Sequence, residues 1–225
     1  GHARAEEWTA ALASAEELAG LLPHRGHALR YHALLRLARG ADALSAARAS
    51  IDAGGDDPAT LLSLGRSLAS QRAEGRAFED LALAALDRAI ALEPESIEVP
   101  TTKFDYLLAW GRAGEAQDAG ALIVQRLHDA ADELNNFAWG LLTEDSKKGK
   151  FNPLAVLAAS RASELTGEAS WYILDTLALA RFEMGEGTEA VRLEERALEI
   201  ARREGVPEGQ RQTLEDALAR FRKGK

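Results

Sequence analysis

Residues 171–201 decide the fold. They open with Trp171-Tyr172-Ile173-Leu174-Asp175-Thr176-Leu177-Ala178-Leu179-Ala180-Arg181-Phe182-Glu183-Met184-Gly185. They continue through Ala190-Val191-Arg192-Leu193-Glu194-Glu195-Arg196-Ala197-Leu198-Glu199-Ile200-Ala201. In the first segment Leu174, Leu177, Ala178 and Phe182 recur at helical spacing, so one face of a helix is apolar. Gly185 stops that helix, and Gly187 and Thr188 lead into a second. In the second segment Ala190 and Ala197 lie two helical turns apart and share a face. A small residue there lets a neighbouring backbone come close. The stretch therefore reads as two helices folded back on each other, with Ala178 and Ala190 buried between them.

The same grammar recurs upstream. Leu64-Gly65 is followed by Ala82, Ala89 and Pro94, with about five extra residues in the turn. Phe137-Ala138 is followed by Ala155 and Ala162, with a similar insertion from Thr143 to Phe151. Two looser copies are Leu29, Ala33, Ala43 and Ser50, and Tyr106-Leu107, Gly114, Ala119 and Leu127. The composition agrees. There are 45 Ala and 34 Leu, both strong helix formers, against 11 Val and Ile together. The expected fold class is all-α.

This pattern resembles the tetratricopeptide repeat (TPR) family, whose unit is an antiparallel helix pair with a small residue midway along the first helix and two, seven apart, in the second. The resemblance covers about residues 26–205 and implies a right-handed α-α superhelix, a TPR-like solenoid of about five helical hairpins. Residues 4–21 (Trp8, Leu12, Leu18, Leu22) and 208–222 (Leu214, Leu218, Phe221) read as amphipathic capping helices, so that 1–225 forms a single repeat domain. Leu134-Asn135-Asn136-Phe137-Ala138-Trp139 with Leu174-Asp175-Thr176-Leu177-Ala178 loosely resembles a helical tail found after thioredoxin-like domains of multidomain bacterial proteins. That second resemblance implies an accessory or docking role in a larger enzyme. Gly1-His2, with no methionine, reads as the start of a cleaved piece of a longer chain.

Chemistry is sparse. With no cysteine, the chain has no disulfide, thiolate metal site or thiol nucleophile. His24, His27 and His32 cluster, but no Asp or Glu lies between Ala19 and Asp42 to complete a metal site. Gly185-Glu186-Gly187-Thr188-Glu189-Ala190 spells a dinucleotide fingerprint, yet a helix precedes it where that site needs a strand. Glu16-Glu17 and Glu194-Glu195 are neighbours that point apart on a helix, so neither pair shares a proton-transfer site. Asp56-Asp57-Pro58 reads as a helix cap. Thr143–Phe151 holds three lysines and reads as a solvated hairpin turn. The expected protein is not an enzyme, and no catalytic residue, cofactor or metal is expected.

Charge narrows the partner. Net charge is −9, distributed as +1 over 1–50, −12 over 51–191 and +2 over 192–225. Phosphate-binding surfaces carry the opposite bias, which argues against nucleic acid and anionic membranes. No apolar run reaches the roughly 18 residues of a membrane span. The resemblance implies a concave groove lined by first helices. Arg30 and Leu34, Leu62 and Arg66, Phe104 and Leu108, and then Asn135, Trp139, Asp175, Leu179 and Phe182 are expected to face it. Those last five form the expected peptide-binding wall; spacing alone fits Trp139 and Phe182 equally as its aromatic anchors and as residues buried between repeats. In family members that bind C-terminal carboxylates a Lys/Asn/Arg clamp does so. Here Leu34 and Phe104 stand in clamp-like places, which argues against that ligand. The expected partner is a protein or peptide, or a neighbouring domain of the parent chain. Compartment is not legible.

Overall fold

The computed structural model describes residues 2–53 and 57–224. Among the described residues there are twelve α-helices and no strand. They are α1 (His2–Leu21), α2 (Pro23–Arg36), α3 (Gly40–Asp52), α4 (Pro58–Ser70), α5 (Arg76–Leu92), α6 (Glu98–Ala109), α7 (Ala113–Arg126), α8 (Ala131–Thr143), α9 (Asn152–Leu165), α10 (Trp171–Glu183), α11 (Gly187–Arg203) and α12 (Glu208–Lys223). Five helix pairs thus run from α2 to α11, with one helix at either end, as the repeat pattern expects. No helix among the described residues is long and apolar enough to cross a membrane.

Local chemistry sets the helix ends. Pro23 and Pro58 sit in first turns, where their missing N–H costs nothing. Asp57 caps α4. Its carboxylate accepts from the Thr60 amide at 3.2 Å and the Thr60 hydroxyl at 2.7 Å. Those bonds, with the Arg25 guanidinium beside it, hold Asp57 down at about 2. Its neighbour Asp56 lies outside the described residues. Gly111 (φ +72°) and Gly185 (φ +83°) supply the left-handed residue that turns α6 into α7 and α10 into α11. In the shortened first hairpin Ala38 takes that conformation (φ +56°), and its Cβ makes the turn strained.

The chain divides into two compact units, with the boundary after Lys103 inside α6. In the first, Tyr31, Leu34, Leu64, Leu68 and Leu86 fill the core, with Ala33, Ala43, Ala82 and Ala89 at the helix crossings. Gly65 lies against Ala82 and Leu86 of α5. The Ser50 hydroxyl donates to the His24 carbonyl at 2.7 Å, which ties α3 to α2. The α1 helix docks on α2 by close backbone approach. A Cβ on Gly26 would stand 2.2 Å from the Ala19 nitrogen.

In the second unit, Phe104 sits between Phe137 (5.8 Å between ring centres) and Phe151 (5.4 Å). Ala138, Ala155 and Ala162 are fully buried, as are Ala178, Ala190 and Ala197. Leu214 and Leu218 of α12 join Leu198 and Ala201 of α11.

Several expectations about which face is buried need correction. Leu34, Leu62 and Phe104 do not line a groove; all three are buried, because each sits on the side of its first helix that meets neighbouring helices. Leu29, expected in the first hairpin's core, is 51% exposed, since Tyr31, Ala33 and Leu34 form the face that α2 buries. In α1, Ala15 is buried whereas Trp8, Leu12 and Leu18 are half-buried and Leu22 is exposed, so this helix attaches through small residues rather than a large apolar stripe.

Gly26 and Gly20 give a matched test. Gly26→Ala drives a methyl into backbone and is expected to cost about 1–3 kcal/mol. Gly20→Ala, with nothing within 4 Å, is expected to be neutral or to stabilise by up to about 1 kcal/mol. Urea unfolding of both variants checks the pair, and equal behaviour would show that α1 does not sit this close to α2.

Candidate functional site

The second unit places two first helices, α8 and α10, side by side. Their register is fixed where the Tyr172 hydroxyl donates to Asp132 at 2.7 Å. That bond joins residues 40 apart in sequence. Two chain reversals separate the helices, so they run in the same direction. Carried along both, the offset sets Asn135 level with Asp175, and Trp139 level with Leu179.

Trp139 is 46% exposed. Leu179 and Asp175 are half-buried. Asn135 is buried, at 8% exposure, and its Oδ1 accepts no hydrogen bond. Phe182 is buried, with its ring 4.7 Å from that of Phe221 in α12. Phe182 is therefore not an aromatic edge on the wall: α12 covers it. The open part of the expected wall is Trp139 with Leu179 and Asp175.

Behind Asp175 lies Glu194 of α11, which is fully buried. Neither of its carboxyl oxygens accepts a bond from a donor. The charged group beside it is the Asp175 carboxyl. Burial pushes Glu194 far above the usual carboxylate range, and the Asp175 charge pushes it further. Burial also pushes Asp175 up, against the opposing pull of Arg220. Glu195 does point away, and it pairs with Arg222 at 2.7 Å. The helical-neighbour argument separates Glu194 from Glu195 correctly, but it is blind to a partner across the hairpin.

The first unit holds a cleft of about 440 Å³ that the sequence pattern does not show. Leu18, Arg25, Leu29, His32, Thr60 and Ser63 line it. Arg25 and Asp57 form an ion pair at 2.7 Å. Burial, with the Arg36 charge, holds His32 below its usual value. The available signal was Leu29 itself, an apolar residue out of phase with the buried face. Among the described residues no group of three His, Asp or Glu side chains could hold a metal. The lysine-bearing turn is only partly solvated. Lys147 pairs with Glu144 at 2.8 Å and lies over the Phe104 ring at 6.0 Å, with its side chain 18% exposed.

No family model matches the chain, and no curated protein matches it. Among solved structures it is similar to a crystal structure of MamA protein, with 19% identity over 74% of this chain and 85% of that one, at a TM-score of 0.41. It is also similar to the MamA RS-1 ArsTM double mutant, with 16% identity over 79% of this chain and 93% of that one, at a TM-score of 0.38. Likenesses of that size carry no functional argument.

The raised Glu194 carboxyl makes stability depend on pH. Glu194 is raised in the folded state, so its contribution is complete below the ordinary carboxyl range and is lost as pH rises toward the raised value. The stability of the wild type relative to Glu194→Gln is expected to fall between about pH 5 and pH 8, at up to about 1.4 kcal/mol per pH unit. Taking the difference between the two proteins cancels the opposite trend from His32. Parallel curves from urea unfolding at several pH values would show that Glu194 carries no extra proton.

Proposed function

We propose that the protein is a noncatalytic helical-repeat module that binds a protein or peptide, and that its docking surface is the α8–α10 wall of Trp139, Leu179 and Asp175. The observation that carries this reading is Trp139, 46% exposed on a helix whose Leu134, Ala138, Leu141 and Leu142 are all buried. An indole left in water at the centre of a helix surface forgoes the burial its area offers, and such residues serve as anchors when a partner covers them.

Leu179 extends the apolar patch, and Asp175 adds an acceptor beside it. A chain carrying a basic residue flanked by apolar ones complements that arrangement. The charge of −12 over residues 51–191 favours its approach. Repeat modules of stacked helix pairs bind along such surfaces with no reacting group of their own.

The probe is the capped peptide acetyl-Leu-Leu-Arg-Leu-Leu-amide, titrated calorimetrically at neutral pH. Trp139→Ala is expected to weaken binding by about thirtyfold, the size of a hot-spot loss of about 2 kcal/mol. The melting temperature should stay unchanged, because the side chain supports little of the core. Wild-type affinity retained by Trp139→Ala would remove the wall from consideration.

A further inference from the structure

The first unit carries two cavities that meet at one side chain. His32 of α2 lines both the cleft of about 440 Å³ and a second cavity of about 270 Å³. Both lie between α2 and α4, so they form one groove along these helices. Its two ends differ in chemistry. Toward the start of α2 it is a mainly apolar trough, with Leu18, Ala28 and Leu29 on its walls. Leu29 is 51% exposed there. Toward the end of α2 the groove is polar, and Arg36, Ser67, Ser70 and Gln71 line it.

No Asp or Glu lines either cavity, in a chain that has 36 of them. Two arginines do. Arg25 is answered by Asp57 at 2.7 Å. Among the described residues no carboxylate pairs with Arg36, whose guanidinium lies over the Trp8 ring at 5.6 Å. A guanidinium held over a ring keeps the N–H groups of its edge for an acceptor. Gln71 donates one amide proton to the Ser70 hydroxyl at 3.2 Å and has a second to give. His32 adds no charge at neutral pH, because burial and the Arg36 charge hold it below its usual value. The polar end therefore offers N–H donors and one unanswered positive charge.

A planar donor edge with a single charge matches a carboxylate. A phosphate, with its second charge, calls for a second free cation. The trough leading away from Arg36 matches a hydrocarbon chain, which would cover Leu29 and take its apolar surface out of water. Leu29 and Arg36 stand about 10 Å apart along α2. An extended chain of about eight to ten carbons covers that distance. We propose that the α2–α4 groove binds a single-chain carboxylate amphiphile, with its head group on Arg36 and Gln71 and its hydrocarbon chain running past His32 onto Leu29 and Leu18. This site lies wholly in the first unit and stands or falls separately from the α8–α10 wall.

The experiment is calorimetry of the full chain with sodium decanoate, below its micelle concentration and at neutral pH. One decanoate is expected to bind per chain. Octanoate should bind about fivefold more weakly, since two methylenes leave the trough. Decyltrimethylammonium, the same chain with the opposite charge, should not bind. Arg36→Gln is expected to weaken decanoate binding by about tenfold or more. Leu29→Glu, which sets a charge in the trough, should abolish it. Both side chains are exposed, so the melting temperatures should hold. Ser70→Asp, also at an exposed position, puts a carboxylate into the head-group cavity and should bind as poorly as Arg36→Gln. In proton NMR spectra decanoate should move the His32 ring resonances, in the wild type and in Trp139→Ala alike. Absence of binding, or variants that bind as the wild type does, overturns the inference. Equal uptake of decyltrimethylammonium overturns it as nonspecific coating. Butyrate binding as tightly as decanoate overturns it too, leaving a site for small anions alone.

Discussion

Close approach of helix backbones at small residues is the constraint on which the rest of the structure depends. Gly26 against Ala19, Gly65 against Ala82 and Leu86, and Gly120 against Leu154 and Phe104 are places where one more methyl group meets an occupied position. The fully buried Ala43, Ala82, Ala155, Ala178, Ala190 and Ala197 mark the same condition with alanine. An interior packed this tightly is felt at the level of a single methylene. Because each helix meets its partner through a backbone-sized contact, the large side chains are pushed to either side of the crossing. There they fill the gaps between successive pairs, as Phe104 does between Phe137 and Phe151.

That constraint also explains what was legible in the sequence. Small residues seven apart announce a crossing whatever surrounds them, so the helix pairs and their turns could be read directly. Both end helices fall within two residues of their expected bounds. Rotation of each helix about its axis was harder to read. Leu34 and Leu62 sit one step around the helix from Ala33 and Gly65, at positions that serve equally for groove and core, and Phe104 lies in a helix with no packing alanine or glycine to fix its rotation. Burial there depends on the side chains of the next pair, which may be 30 or more residues away, as Phe137 and Phe151 are from Phe104. Phe182 is open between groove and core in the sequence for the same reason: whether it faces outward depends on where α12 lies.

The adjacent glutamates point apart, as their helical spacing requires, and Glu195 faces outward, paired with Arg222. Glu194 stands one residue earlier, between Leu193 and the buried side that includes Ala197, and the helical period turns it inward. An acid in that place cannot stay ionised without a cation beside it. The chain places Asp175 beside it instead, and burial together with that charge pushes Glu194 up toward its neutral form. Periodicity alone shows that Glu194 is inside; the sequence pattern does not reveal that its neighbour across the hairpin is a second acid.

The exposed Trp139 on α8 and the buried Glu194 on α11 are each a local cost that the fold tolerates. A leucine in place of Glu194 would satisfy packing without desolvating a carboxyl, and replacing buried polar groups by apolar ones of similar volume is often stabilising. An alanine in place of Trp139 would remove apolar area from water. Neither departure helps the helix pair close, since Ala178, Ala190 and Ala197 accomplish that. Costs that contribute nothing to folding are expected where a surface is shaped for something outside the chain. Trp139 is such a cost on the open surface, an aromatic face with no cover, and a ligand that brings apolar surface to it relieves that cost.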